Sequence, residues 1–266
     1  MKALALQLDQ IQDDLRTERL GTGFHYFLEL DSTNRYARGL AEQGAAEGEI
    51  VIAEEQSRGR GRLGRSWVSP PYVNVYFSVV LRPKLPPARA PQITLMAAVA
   101  LAETLDAFSP LPALIKWPND ILMNGKKLAG ILTESSCHAD RIEFAILGIG
   151  VNLNFPAELM PDAIRGGATS LWAVRQHRVD REEFLRRLIQ HLDRCYGILE
   201  ESGFEAIARR WDDRFSLRGK QVRVEMVDGV LFGRAIGIDQ DGALIIEEES
   251  RDLHRVLAGD VMPVEE

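Results

Sequence analysis

The sequence predicts an α+β fold, a mixed β-sheet with helices packed on one face followed by a small C-terminal β-barrel. Up to Phe215, apolar residues recur at helical spacing in some segments and in strict alternation in others. Beyond Phe215 the period shortens to two, and Asp-Gly pairs separate the alternating runs. With 266 residues, 45% of them apolar and 27% charged, the chain can bury a sizeable core, and disorder, collagen and coiled coil are excluded.

Leu4, Leu8, Ile11 and Leu15 mark a short amphipathic helix. Ser32 stands at a helix N-cap position before Tyr36, Ala37, Leu40 and Ala41, and Gly44 is the stop. Glu49 to Glu54 is a short strand, and Tyr72 to Leu81 alternates, with Val73, Val75, Phe77, Val79 and Leu81 on one side. Residues Pro91 to Phe108 form a helix apolar enough to lie across a sheet. Strands follow at Ala113 to Trp117, Ile121 to Met123, Lys127 to Thr133 and Arg141 to Leu153, with Asn124-Gly125 as a hairpin turn. Asp180 and Glu183 make a capping box before a long amphipathic helix through Phe184, Leu188, Leu192, Cys195, Tyr196 and Leu199. Short strands around Asp228-Gly229 and Asp241-Gly242 complete the barrel. The expected domains are residues 1–217 and 218–266.

Composition narrows the function. Cys137 and Cys195 are too few for a disulfide framework, which fits a reducing cytoplasm. The five histidines are scattered, without metal-ligand spacing, so a metal ion is expected only with a substrate. The longest apolar run, Leu95 to Ala102, is too short to span a membrane, and no membrane partner is expected. Net charge is −7, and residues 219–266 hold five Lys/Arg against eleven Asp/Glu, which argues against a general nucleic-acid binder.

Three segments carry chemistry. The run Ser57-Arg58-Gly59-Arg60-Gly61-Arg62-Leu63-Gly64-Arg65-Ser66-Trp67 joins guanidinium groups, which bind phosphate bidentately, to glycines that let a ligand approach the backbone. It is neither a P-loop nor a dinucleotide fingerprint. A solvated loop, or an RNA-binding segment with Trp67 and Tyr72 as stacking residues, is an open alternative. In Lys116-Trp117-Pro118-Asn119-Asp120, a lysine set in an apolar strand is a candidate for a substrate carboxylate or phosphate, the alternative being a salt bridge to Asp120. In Leu147-Gly148-Ile149-Gly150-Val151-Asn152, alternate glycines open one face of a strand to a flat ligand, unless they serve a bulge or close helix packing.

These segments, in this order, resemble the biotin protein ligases, which attach biotin to a lysine of a carrier domain. The matching motifs are Asp31-Ser32-Thr33-Asn34, Gly59-Arg60-Gly61-Arg62-x-Gly64-Arg65-x-Trp67, Lys116-Trp117-Pro118-Asn119-Asp120, Lys127-Leu128-Ala129-Gly130-Ile131-Leu132 and Gly148-Ile149-Gly150-Val151-Asn152. The resemblance covers about residue 25 to the end, and only some 25 residues precede that region, so it is to a monofunctional member, without the winged-helix repressor domain and without DNA as a partner.

The resemblance implies a class II synthetase-like catalytic domain and an SH3-like barrel. It implies ATP, Mg²⁺ carried by ATP, biotin as substrate, and the biotin carboxyl carrier protein domain of a carboxylase as partner; monomer and homodimer both stay open. It assigns biotin to Ser32, Thr33, Asn34, Gln56, Arg60, Gly61, Arg62 and Lys116, with Gly130, Gly148 and Gly150 leaving room for it. ATP falls to Arg60, Arg62, Arg65, Trp67, Lys116 and Asn152, with Lys116 and Arg62 as the catalytic pair. The family's reaction, adenylation of biotin and then attack by the acceptor lysine, needs no enzyme nucleophile, and the Gly/Arg loop would be its lid, mobile until ligands order it. A lipoate ligase shares that logic, and an RNA-binding module is the rival of another class.

Overall fold

The computed structural model describes residues 5–264. Helix α1 (Leu8–Gln12) buries Ile11 and is shorter than the periodicity implies. Asp14 adopts φ 59°, a left-handed conformation that ends the helical run before Leu15. Leu4 lies outside the described residues.

Strand β1 (Gly23–Leu30) escapes the sequence reading because it is half-buried along most of its length and shows no alternation. Helix α2 (Thr33–Glu42) begins after Ser32, and Gly44 follows its end at φ 90°. Ser32 occupies the N-cap position, yet its side chain makes no capping bond; Gln56 Oε1 accepts from the Thr33 N–H at 3.0 Å instead. Strands β2 (Glu49–Gln56) and β3 (Val75–Leu81) follow. The second starts later than expected, since Tyr72 is left-handed at φ 66°. Helix α3 (Pro91–Asp106) buries most of its length, as its apolar composition predicts.

Strands β4 (Leu114–Lys116), β5 (Asp120–Met123), β6 (Lys126–His138) and β7 (Arg141–Val151) form an antiparallel run. Asn124 and Gly125, both at positive φ, make the β5–β6 turn. Short helices α4 (Asp162–Arg165) and α5 (Leu171–Arg175) lead to α6 (Arg181–Ser202), capped by Asp180, which accepts from the Glu183 N–H. The Glu183 side chain pairs with Arg187 at 2.7 Å, so the capping box is half formed. Helix α7 (Glu205–Asp212), hidden in the sequence behind α6, starts after Gly203 breaks the chain direction at φ 82°.

The seven strands run in the order β1-β2-β3-β7-β6-β5-β4, with β1 and β2 parallel and the rest antiparallel. Side chains alternate across this sheet. Ile52, Phe77, Val79, Leu147 and Ile149 belong to the main core with α3, α6 and α7. Val51, Val80 and Ile146 point the other way, where Ala37 and Ala41 of α2 cover them. Helix α2 covers only part of that second face. The uncovered part, floored by Gly130, Gly148 and Gly150, is where the site lies.

Beyond Leu217 come β8 (Gln221–Met226), β9 (Gly229–Ile238), β10 (Leu244–Glu247), β11 (Leu253–Val256) and β12 (Asp260–Pro263). They pair antiparallel in the order β11-β10-β9-β8-β12, the small β domain expected; among the described residues no ladder joins β11 to β12, so the sheet is open. It docks on the larger sheet and its helices through Trp117 Nε1 donating to the Gly242 carbonyl (3.3 Å) and Gln92 Nε2 donating to the Gln240 carbonyl (2.8 Å). Among the described residues no helix is long and apolar enough to cross a membrane.

Candidate active site

Three loops converge on the open strip of the sheet: the start of α2, the Gly/Arg segment after β2, and the β4–β5 turn with its cis Trp117-Pro118 peptide. They enclose a cleft of about 230 Å³, room for a small molecule and not for a folded partner. Ser32, Thr33, Asn34, Gln56, Arg60, Gly61, Arg62, Arg65, Trp67, Lys116, Gly130, Gly148 and Gly150 all line it. Asn152 does not.

The Gly/Arg segment is a folded hairpin. Arg60 bridges to Ser66, the Gly61 N–H donates to the Arg65 carbonyl at 2.7 Å, and the Trp67 N–H donates to the Gly59 carbonyl at 2.9 Å. Three side chains fasten it: Arg60 to Glu134 (3.1 Å), Arg62 to Asn119 Oδ1 (3.4 Å), and Arg65 to Asp260 of β12. Arg62 alone of these arginines has no carboxylate within ion-pair distance among the described residues. Burial lowers its pKa, against the raising fields of Asp260 and Asp120. A half-buried guanidinium short of counter-charge is a ready seat for an anion.

Lys116 is half-buried on β4, beside Asp120 in the β4–β5 ladder. The salt bridge weighed from the sequence is not formed. Asp120 pairs with Lys127 Nζ at 2.6 Å, and among the described residues Lys116 has no ion pair. The cleft thus presents two lining cationic groups, Lys116 and Arg62, that have no carboxylate at ion-pair distance among the described residues.

The glycines do not hold open empty space. A Cβ on Gly148 would lie 1.9 Å from Asn34 Oδ1, and one on Gly150 would lie 2.6 Å from Trp67 Nε1. The strip therefore seats the Asn34 amide and the Trp67 indole flat on the sheet. Trp67 also has Lys127 Nζ 5.5 Å from its ring centroid, and its buried N–H has no partner among the described residues. Asn152 lies behind it. Its Nδ2 donates to the Thr169 carbonyl (3.1 Å) and its Oδ1 accepts from Asn74 (3.3 Å), and it borders a second cleft shared with Trp67, Lys127 and Ala168.

Several lining residues carry no signal in the motifs. Glu134 and Ser78 lie beneath the lining and reach it through Asn34 and Thr33, a role their strand parity could have suggested. Asp260, Val261 and Met262 come from the C-terminal sheet, and nothing local in the sequence marks them. Among the described residues no three His, Cys, Asp or Glu side chains gather as a metal site.

A model described as the biotin/lipoate A/B protein ligase family matches residues 26–152, and one described as the biotin protein ligase C-terminal domain matches residues 218–262. The biotin–[acetyl-CoA-carboxylase] ligase of Paracoccus denitrificans is 40% identical over 81% of this chain and 90% of its own length. That of Mycobacterium tuberculosis is 34% identical, covering 93% of both chains. Among solved structures, the biotin protein ligase from Aquifex aeolicus in complex with biotin and ATP superposes with a TM-score of 0.78 at 27% identity, covering 91% of this chain and 98% of that one.

Proposed function

The chain belongs to the biotin/lipoate A/B protein ligase family, and from that premise we infer that it is a biotin protein ligase, joining biotin to a carrier-domain lysine at the expense of ATP. The observation that carries the reading to this site is the gathering of thirteen sequence-predicted residues around one small cleft.

Biotin lies with its ring toward Ser32, Thr33, Asn34 and Gln56, and its carboxylate toward Lys116 and Arg62. The α-phosphate meets the same two cations together with Arg60. Among the described residues Lys116 and Arg62 have no ion-paired carboxylate to release first, so they neutralise the charge that develops as the biotin carboxylate attacks phosphorus and pyrophosphate leaves. Orientation and electrostatics suffice, and the acceptor amine then attacks the mixed anhydride. Arg65, Trp67 and Asn152 serve the nucleotide, with Trp67 covering the adenine between the two clefts. Asp120 and Asp260 are already paired with Lys127 and Arg65, so Mg²⁺ would come with ATP and be held mainly through its phosphates.

The acceptor is the biotin carboxyl carrier protein domain of a carboxylase, by likeness to relatives named for acetyl-CoA carboxylase. The unpaired thiols of Cys137 and Cys195 suit the cytoplasm. Residues 1–217 make the catalytic domain and residues 218–266 the barrel-type domain, which lends Asp260 to the loop.

Incubation of the purified chain with biotin, ATP, Mg²⁺ and a carrier domain should give a product that streptavidin detects, and exchange of pyrophosphate into ATP should depend on biotin and not on lipoate. Well-folded protein that labels no carrier, or that exchanges with lipoate equally well, would overturn the reading.

A further inference from the structure

Beneath the cleft a hydrogen-bond chain runs from Glu134 through Asn34, Ser78 and Thr33 to Gln56. We propose that Glu134 and Ser78 are positioning residues that set the proton order of this chain, so that the Thr33 hydroxyl oxygen meets the ligand ring as a hydrogen-bond acceptor. The proposal rests on the biotin-ligase reading, which supplies a ring with N–H donors.

The order follows link by link. An ionised carboxylate only accepts. Glu134 is the anionic partner of Arg60 at 3.1 Å, and its Oε2 accepts from Asn34 Nδ2 at 2.9 Å. The same Nδ2 lies 3.2 Å from the Leu132 carbonyl, a second acceptor. Both contacts demand the nitrogen on that side, so Asn34 Oδ1 must accept, and its donor is Ser78 Oγ at 2.7 Å. Ser78 is fully buried and has one proton, which this bond consumes. Its other contact, Thr33 Oγ1 at 2.8 Å, therefore has Thr33 as donor. The Thr33 proton points into the protein, and the lone pairs of its oxygen remain for the cleft.

The competing arrangement, with Thr33 donating to Gln56 Oε1, is longer at 3.2 Å, and that oxygen already accepts the Thr33 backbone N–H. It would also leave the short Ser78–Thr33 contact without a proton. Gly148 keeps the chain in register, because its missing Cβ is the seat of the Asn34 amide.

A ring N–H donor thus finds a fixed acceptor, whereas a dithiolane, with no N–H, would leave a buried oxygen unpaired. Sites built on such polar contacts reject the ligand that lacks the partner more strongly than apolar pockets do.

The test is biotin-dependent pyrophosphate exchange into ATP by the full chain. Glu134→Gln keeps shape but can offer its own N–H to Asn34 Oδ1, which lets the amide flip and the chain invert. Ser78→Ala removes the middle link without touching Arg60 or any other residue of the Gly/Arg hairpin. Both variants should raise the biotin KM about tenfold, one hydrogen bond's worth. The ATP KM should stay within about twofold and kcat within about threefold. Because both act through one chain, the double variant should be little worse than the weaker single one.

Unchanged biotin KM in folded Glu134→Gln overturns the proposal, as does an equal rise in the ATP KM in both variants. Should Ser78→Ala fail to fold, Glu134→Gln decides alone. Absence of biotin-dependent exchange in the wild type would instead reject the biotin-ligase reading itself.

Discussion

Arg65 of the Gly/Arg hairpin forms an ion pair with Asp260 of β12, so the hairpin is fastened at its far end to the C-terminal sheet. The Arg65 side chain is 67% exposed, which places the pair among surface bridges worth about 0.2–1 kcal/mol. Asp260→Asn should therefore shift loop opening by up to about fivefold and no more. Limited trypsin digestion reads this, since Arg58, Arg60, Arg62 and Arg65 are its sites. Cleavage within 58–65 should speed up by that factor while cleavage elsewhere is unchanged, and biotin with ATP and Mg²⁺ should slow it again. Equal rates in both proteins would show that the C-terminal sheet does not hold the loop.

Lys116→Ala should lower adenylate formation by about 10²–10³, the scale of losing one charge-stabilising donor in a preorganised site. The lysine has no ion-pair partner to strand among the described residues, so the melting temperature should hardly move. Pyrophosphate exchange at the wild-type rate would remove Lys116 from the catalytic pair.

Two glycines on one strand should fail differently. Gly148→Ala drives a methyl into the Asn34 amide, and Gly150→Ala drives one into the Trp67 indole. The first should raise the biotin KM by more than the ATP KM, and the second the reverse. If both raise the two constants alike, Asn34 and Trp67 do not divide the substrates between them.

These residues show how far the sequence can be read. The Gly/Arg run was legible from its density of arginine and glycine, and Lys116 and the paired glycines because each breaks a local rule: charge in an apolar strand, or glycine in a strand interior. What filled the glycines' space was not legible, since Asn34 and Trp67 reach Gly148 and Gly150 from about 114 and 83 residues away. Strand β1 was missed because an edge strand half-covered on both sides shows no period, and α7 because one glycine divides it from α6. Asp260 joins the site only through the docking of the second sheet, a relation without local trace.

Stability of the larger sheet and its helices should hinge on one buried ion pair. Glu54 is fully buried and Arg181 is 6% exposed, with Arg181 Nη1 to Glu54 Oε2 at 2.7 Å. Tyr26 Oη and the Leu6 N–H also donate to Glu54, so β1, β2, α6 and the N-terminal segment meet there. Arg181→Met leaves a buried carboxylate short of its cation and should cost about 3–5 kcal/mol, whereas Glu54→Gln with Arg181→Met should recover part of that. Urea unfolding of the three proteins measures it. A double variant no more stable than Arg181→Met would place the cost in packing.

The acid limb of stability should carry a contribution from His191 on α6. Thr104 spends its proton on the Ala100 carbonyl at 2.8 Å, so its contact with His191 Nδ1 at 2.7 Å has the imidazole as donor, the neutral ring protonated at Nδ1. Burial lowers the His191 pKa from 6.5, and Arg194 lowers it further; Glu103 raises it, and Arg210 and Arg187 lower it. A folded-state pKa below the unfolded one means the unfolded chain takes up the proton more readily. The contribution is therefore complete above about pH 6.5 and is lost as pH falls through the lower, folded value. His191→Gln keeps a donor for Thr104 and removes the titration. Thermal unfolding between pH 7.5 and 5.5 should then fall less steeply in the variant than in the wild type. Parallel curves would mean that His191 charges as easily folded as unfolded, and that the burial of its ring does not oppose the proton.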